Sequence, residues 1–78
     1  MSAADLSPGL MRLLAVIANV KRGERSYQAY NGGATPTTYA VLSWMLAERG
    51  LIREVAHRDH TRSHVITAAG RVTLRSAS

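Results

Sequence analysis

Two hydroxyl–proline pairs constrain this chain more than any other feature. Ser7-Pro8 and Thr35-Pro36 each put a capping hydroxyl ahead of a proline at the first helical position. A proline there loses no hydrogen bond and presets φ for a helix. After Ser7-Pro8, Leu10, Leu13, Leu14 and Ile17 recur at helical spacing, widened by Val16 and Val20, with Arg12 and Asn19 opposite. This predicts a helix with one broad buried face. It runs out near Lys21-Arg22-Gly23, where cations suit the negative helix end and glycine stops it. After Thr35-Pro36, Tyr39, Leu42, Ser43 and Leu46 share one face, which Ala47 flanks. That second long helix ends at Glu48-Arg49-Gly50, with a glycine suited to the left-handed cap position.

The remaining segments are short. Residues 1–6 read as loose. Ser26 to Asn31 predicts a small helix capped by Ser26 and broken by Asn31-Gly32-Gly33. From Leu51 the pattern turns to β-branched residues. Leu51 to His57 and Arg62 to Thr67 read as two strands around the polar turn Arg58-Asp59-His60-Thr61. Thr67-Ala68-Ala69-Gly70-Arg71 caps one last short helical piece ending in Leu74, with residues 76–78 loose. The whole chain of 78 residues is then one small domain.

Composition narrows the function classes. There is no cysteine, which excludes a disulfide scaffold, a thiolate zinc site and a cysteine nucleophile. Ten Lys and Arg against five Asp and Glu give a net charge of +5. Such a balance points to a polyanionic partner, nucleic acid first and an anionic membrane second. The longest apolar stretch, Leu13 to Ala18, falls far below the roughly 18 residues of a spanning helix. Asp5 and the interrupting Arg12 argue against a signal peptide. The expectation is a cytoplasmic protein with no membrane partner.

Helix, short helix, helix, hairpin is the order of an α+β winged helix-turn-helix. The run Leu42-Ser43-Trp44-Met45-Leu46-Ala47-Glu48-Arg49-Gly50-Leu51-Ile52 resembles the recognition-helix ending of MarR-type and related small bacterial and phage regulators. In those proteins a helix commonly ends in Leu-x-x-x-Gly-Leu-Ile before the first wing strand. Ile66-Thr67-Ala68-Ala69-Gly70-Arg71 is similar to the Leu-Thr-x-x-Gly-Arg segment that closes their wing. Asp59-His60-Thr61-Arg62 keeps only the first aspartate and an arginine of the Asp-x-x-Asp-Arg-Arg wing sequence. The long flanking helices by which MarR-type regulators dimerise have no counterpart here. A monomer, or a homodimer through some other face, is the expectation.

What the resemblance implies is a DNA-binding protein, a transcriptional regulator or a phage or mobile-element accessory factor. Its third helix would enter the major groove with Thr35, Thr37, Thr38 and Val41. The wing would lay Arg53, Arg58, His60 and Arg62 along phosphates or the minor groove of double-stranded DNA, helped by Lys21, Arg22 and Arg25. Between Thr35 and Glu48 there is no Arg, Lys, Asn or Gln, so the bidentate readers of guanine and adenine are missing. Strong backbone grip and weak base reading follow.

Each signal has a plainer reading beside it. Trp44 falls about 140° from Tyr39 on a helix of 100° per residue. The carboxy-terminal tail folding over it comes first. A protein-interaction patch of Val41, Trp44 and Met45 comes second, and stacking on unpaired bases third. His57, His60 and His64 read as a polar wing that gains charge as pH falls, ahead of a metal site. Tyr27, Tyr30 and Tyr39 read as core edges around the short helix. The five arginines from Leu51 onward, against Glu54 and Asp59, favour phosphate contact over a merely solvated hairpin. Asn31-Gly32-Gly33 lacks the Gly-Lys-Ser/Thr ending of a phosphate loop. No catalytic constellation and no cofactor motif emerge.

Overall fold

A computed structural model describes residues 6–30 and 36–77. In chain order the elements are α1 (Pro8–Ala18), α2 (Ser26–Tyr30), α3 (Pro36–Glu48), β1 (Ile52–Ala56), β2 (Arg62–Ile66) and α4 (Ala68–Ala77). The class is α+β, the described residues forming four helices and a two-stranded antiparallel sheet. Asn31-Gly32-Gly33, Thr35 and residues 1–5 lie outside the described residues.

The local signals account for most boundaries. The Ser7 hydroxyl accepts the Leu10 N–H at 3.3 Å, capping α1 just before Pro8. The helix stops at Ala18, ahead of the expected Lys21-Arg22-Gly23. Asn19 leaves helical geometry at ψ 13°, and its amide donates back to the Ala15 carbonyl at 2.8 Å. Asparagine competes with the helix ladder in this way and ends it.

At the end of α3, the Leu51 N–H reaches the Leu46 carbonyl at 3.1 Å and the Gly50 N–H reaches Ala47 at 3.0 Å. These two bonds form a Schellman cap. It needs a left-handed residue, and Gly50 has φ +72°.

Further expectations need correction. Ser26 is not the cap of α2. Arg25 takes that role: Gln28 Oε1 accepts the Arg25 N–H at 3.1 Å, and the Arg25 carbonyl accepts from Gln28 and Ala29. This is the glutamine half of a capping box. The Ser26 side chain turns inward and is 1% exposed. The second correction is α4, ten residues long rather than a short piece ending in Leu74. Thr67 Oγ1 accepts the Gly70 N–H and the Thr67 carbonyl accepts Arg71, which nucleates the helix. Nothing in Arg71 to Ala77 breaks it.

The core consists of Leu10, Leu13, Leu14 and Ile17 of α1 with Leu46, Leu51 and Ile52. Leu6, expected among the loose amino-terminal residues, joins this cluster and is buried. Each such side chain removed from water contributes about 1.5–3 kcal/mol. Tyr39, Leu42, Ile66 and Leu74 pack around the edge.

Strand β1 pairs with β2 so that Ile52 faces Ile66, Glu54 faces His64 and Ala56 faces Arg62. Arg53 and Val55, opposite Val65 and Ser63, take the reverse face. The connection is tight. His60 N–H donates to the His57 carbonyl, and His57 N–H to that of Thr61. His60 itself has φ +70°, a conformation that glycine usually fills.

Candidate nucleic-acid interface

Helix α3 and the hairpin carry most of the residues singled out above. Thr37, Thr38 and Val41 are exposed along the first turns of α3. Thr35 lies outside the described residues. The outward face of α3 runs through Thr37, Ala40, Val41, Trp44 and Glu48, all exposed. It holds one carboxylate and no cation.

Trp44 is 65% exposed and Val41 53%. The expectation that the carboxy-terminal tail covers Trp44 fails, because α4 packs against α1 instead. Met45, grouped with these outward residues from the sequence, packs partly buried against the core. Its position beside Leu42 and Arg49 on the helix wheel puts it at the flank of the buried face.

The hairpin holds the cations. Arg53 on β1 and Arg58 and His60 in the turn are exposed. Arg62 is exposed too, but its guanidinium pairs with Glu54 at 2.8 Å across the sheet. Arg25, half-buried, reaches Asp59 at the hairpin turn at 3.7 Å. The Thr61 hydroxyl and N–H bind the Asp59 carboxyl and hold it below its ordinary range. Both hairpin acids are therefore already matched by a cation. Within the hairpin, Arg53 and Arg58 remain as surplus positive charge.

A hydrogen-bonded triangle sets the position of the hairpin against α2 and α3. Ser26 Oγ accepts the His64 backbone N–H at 2.8 Å and lies 2.6 Å from Tyr39 Oη. Tyr39 Oη is in turn 2.8 Å from His64 Nδ1. With His64 neutral and Nδ1 accepting, the bonds run head to tail: Ser26 donates to Tyr39, Tyr39 to His64, and His64 to Ser26. Burial favours those protonation states. It pushes the Tyr39 phenol above its ordinary 10.0 and His64 below 6.5, although Glu54 opposes the second shift. Tyr39 also meets Tyr27 edge-on at 6.4 Å and lies 6.0 Å from Tyr30.

Sequence reasoning placed Tyr39 on the core face but missed this triangle. Its closing bond spans 38 positions, beyond the range of any local pattern. Beside it, an apolar groove of about 470 Å³ runs between Ala40, Ser43, Trp44 and Ala47 of α3 and Glu54 and His64 of the hairpin.

The histidines do not converge. His57 Nε2 bonds Ser63 Oγ at 2.6 Å on the reverse face, while His64 faces α3. Among the described residues, no group of three His, Asp or Glu is arranged to hold a metal ion. No helix among them is long and apolar enough to cross a membrane. Compared with protein-family models, curated proteins and solved structures, the chain matches none.

Proposed function

We propose that the chain is a small winged-helix protein that binds double-stranded DNA, as a transcriptional regulator or a phage or mobile-element accessory factor. The hairpin is its wing and α3 its groove-facing helix. The observation that carries this reading is the charge pattern of the hairpin. Its two acids are each matched by a cation, and Arg53 and Arg58 stand exposed beyond them. A guanidinium binds phosphate bidentately, so a surplus of exposed arginine suits a nucleic-acid backbone.

The turn adds support. A histidine held in a left-handed conformation carries strain that glycine would relieve, and such residues cluster at functional sites. His60 at that tip adds a donor beside Arg58. Lys21 and Arg22, both exposed, extend the basic surface. Thr37 and Thr38 lie at the positive end of the α3 dipole, where hydroxyls and N–H groups suit phosphate. The uncharged outward face of α3 makes base reading weak. Affinity then comes mainly from backbone contacts.

Titrating a labelled duplex by fluorescence anisotropy tests this. Each neutralised phosphate contributes about −0.9 to the slope of log affinity against log salt, so about four to six contacts give a slope near −4 to −5. Changing Arg53 and Arg58 together to alanine lowers that slope by about 2. Failure to bind any duplex at ~50 mM salt, where backbone binding is strongest, overturns the proposal.

The exposure of Trp44 and Val41 beside the apolar groove favours a second reading, a protein-interaction module. Tryptophan in a desolvated pocket is a common anchor of such interfaces. Trp44→Ala separates the readings: unchanged DNA affinity with lost binding of a protein partner supports the second.

A further inference from the structure

The reverse face of the hairpin carries a separate feature. A cavity of about 340 Å³ lies between the end of α1, the segment that follows it, β2 and the start of α4. Three permanent cations line it: Lys21, Arg25 and Arg71. Lys21 and Arg25 come from the segment between α1 and α2, and Arg71 from α4. Glu24 is the one acid among the lining residues, and its Oε1 is occupied by the Lys21 backbone N–H at 3.3 Å. Ile17, Val20 and Val65 supply apolar wall. His57 and the buried Ser63, bonded to each other, close the hairpin side.

We propose that this cavity binds a small organic phosphate, with the phosphate among Lys21, Arg25 and Arg71 and the apolar body against Ile17, Val20 and Val65. Like charges gathered on one concave surface repel, and a dianion relieves that repulsion at one point. Two guanidinium groups and an ammonium offer more donors than a single carboxylate uses. They match a phosphate ester, which has three acceptor oxygens and carries about two charges above its second pKa near 6. The volume falls within the range of small-molecule sites, roughly 300–1,000 Å³.

The carboxylate now nearest Arg25 is exchangeable. Asp59 contacts Arg25 through Oδ2 at 3.7 Å while its Oδ1 is held by Thr61. An incoming phosphate therefore competes with the hairpin turn for Arg25. Ligand binding releases the turn from α2. The site shares Lys21 and Arg25 with the basic surface proposed for DNA, but no residue of α3 lines it, and Arg71 and the apolar wall stand outside that surface.

The test is calorimetric titration of the whole chain with phenyl phosphate at pH 7.5 and fixed ionic strength, with inorganic phosphate in parallel. Expected are saturable one-to-one binding of phenyl phosphate and weaker binding of inorganic phosphate, which lacks the apolar body. Arg71→Ala and Lys21→Ala each weaken binding about tenfold, the loss of one charge-assisted hydrogen bond. Asp59→Asn strengthens it by freeing Arg25, a gain that a purely structural role for these residues does not produce. Arg53→Ala leaves it unchanged, and thermal melts verify that each variant is folded. No saturable heat up to ~10 mM, a range where a weak ligand still registers, overturns the proposal. So does wild-type affinity in Arg71→Ala and Lys21→Ala, or equal binding of the two phosphates. If saturating duplex DNA excludes phenyl phosphate from the Asp59→Asn variant, the cavity is a backbone contact and the proposal also fails.

Discussion

Replacing Ser26 by alanine is the sharpest probe of how this fold is held together. Ser26 is small and 1% exposed, so the change leaves almost no cavity. It does remove one oxygen that serves two partners, the His64 N–H at 2.8 Å and Tyr39 Oη at 2.6 Å. Leaving a buried polar group without its partner costs about 1–3 kcal/mol. The His64 N–H is left without its partner and Tyr39 Oη keeps only its bond to His64. Both are half-buried, so each loss sits at the lower end of that range, about 1–1.5 kcal/mol, and the sum is about 2–3 kcal/mol.

A chain of this length has roughly 0.05–0.15 kcal/mol of stability per residue, so the loss is a large share of the total. At about 4–8 °C per kcal/mol, the melting temperature falls by about 10–20 °C. Urea unfolding followed by circular dichroism gives the free energy directly, with an unchanged m-value showing that the compact state is retained. Tyr39→Phe removes the same hydroxyl pair from its other side. The double variant then costs less than the sum of the singles by about 0.5–1.5 kcal/mol, because the Ser26–Tyr39 bond is lost only once. A Ser26→Ala cost below about 0.5 kcal/mol, or additivity within about 0.3 kcal/mol, refutes the triangle as a cooperative unit.

Three other outcomes follow from the same structure. Gly70→Ala drives a Cβ into the Leu51 carbonyl oxygen and to 2.6 Å from Ile66 Cγ1. It therefore destabilises by more than about 2 kcal/mol in a denaturant melt, although helix propensity alone predicts a gain of about 1. Burial lowers the His64 pKa, so the unfolded chain binds the extra proton. Stability is then complete above 6.5 and falls as pH drops below that value, a dependence that His64→Gln flattens in melts at pH 7.5 and 5.0. His60→Gly relieves the left-handed strain and stabilises the chain by about 0.5–1 kcal/mol, and under the proposed function it also weakens duplex binding in the anisotropy assay.

The parts of the fold that were legible in the sequence are those decided within a few residues. Ser7, Gly50 and Thr67 act on backbone groups three or four positions away, so their residue types announce their roles. The hairpin register follows from one short turn and the strands beside it. Ser26 misled because a serine ahead of a helix is equally suited to capping it or to bonding something distant. Only the fold decides, and here the distant partner is 38 residues away. Trp44 was undecided for a related reason: helical periodicity identifies the face opposite the core but not what another segment lays over it. Gly70 gave a motif without a cause. The cause is the contact with Leu51, which only the packed chain contains. Among the candidate site residues, exposure of the hairpin cations was readable. The matching of Arg62 with Glu54 and of Arg25 with Asp59 was not, since each depends on the path of the chain.

The hairpin is anchored unevenly along its length, and that makes it a lever. At its base, Gly70 lies against the Leu51 carbonyl and the Thr67 hydroxyl donates to Gly50 at 2.7 Å. Midway, His64 is fixed by Ser26 and Tyr39. The tip has the Arg25–Asp59 pair, with Asp59 widely exposed. Base and middle are insensitive to dissolved ions, whereas an exposed pair weakens once the Debye length shrinks below about 10 Å. Raising ionic strength therefore loosens the far end of a rod whose fulcrum stays fixed. Any ligand gripped by that end meets a moving target in concentrated salt and a steady one in dilute salt. Its measured salt exponent then exceeds the number of ions it displaces.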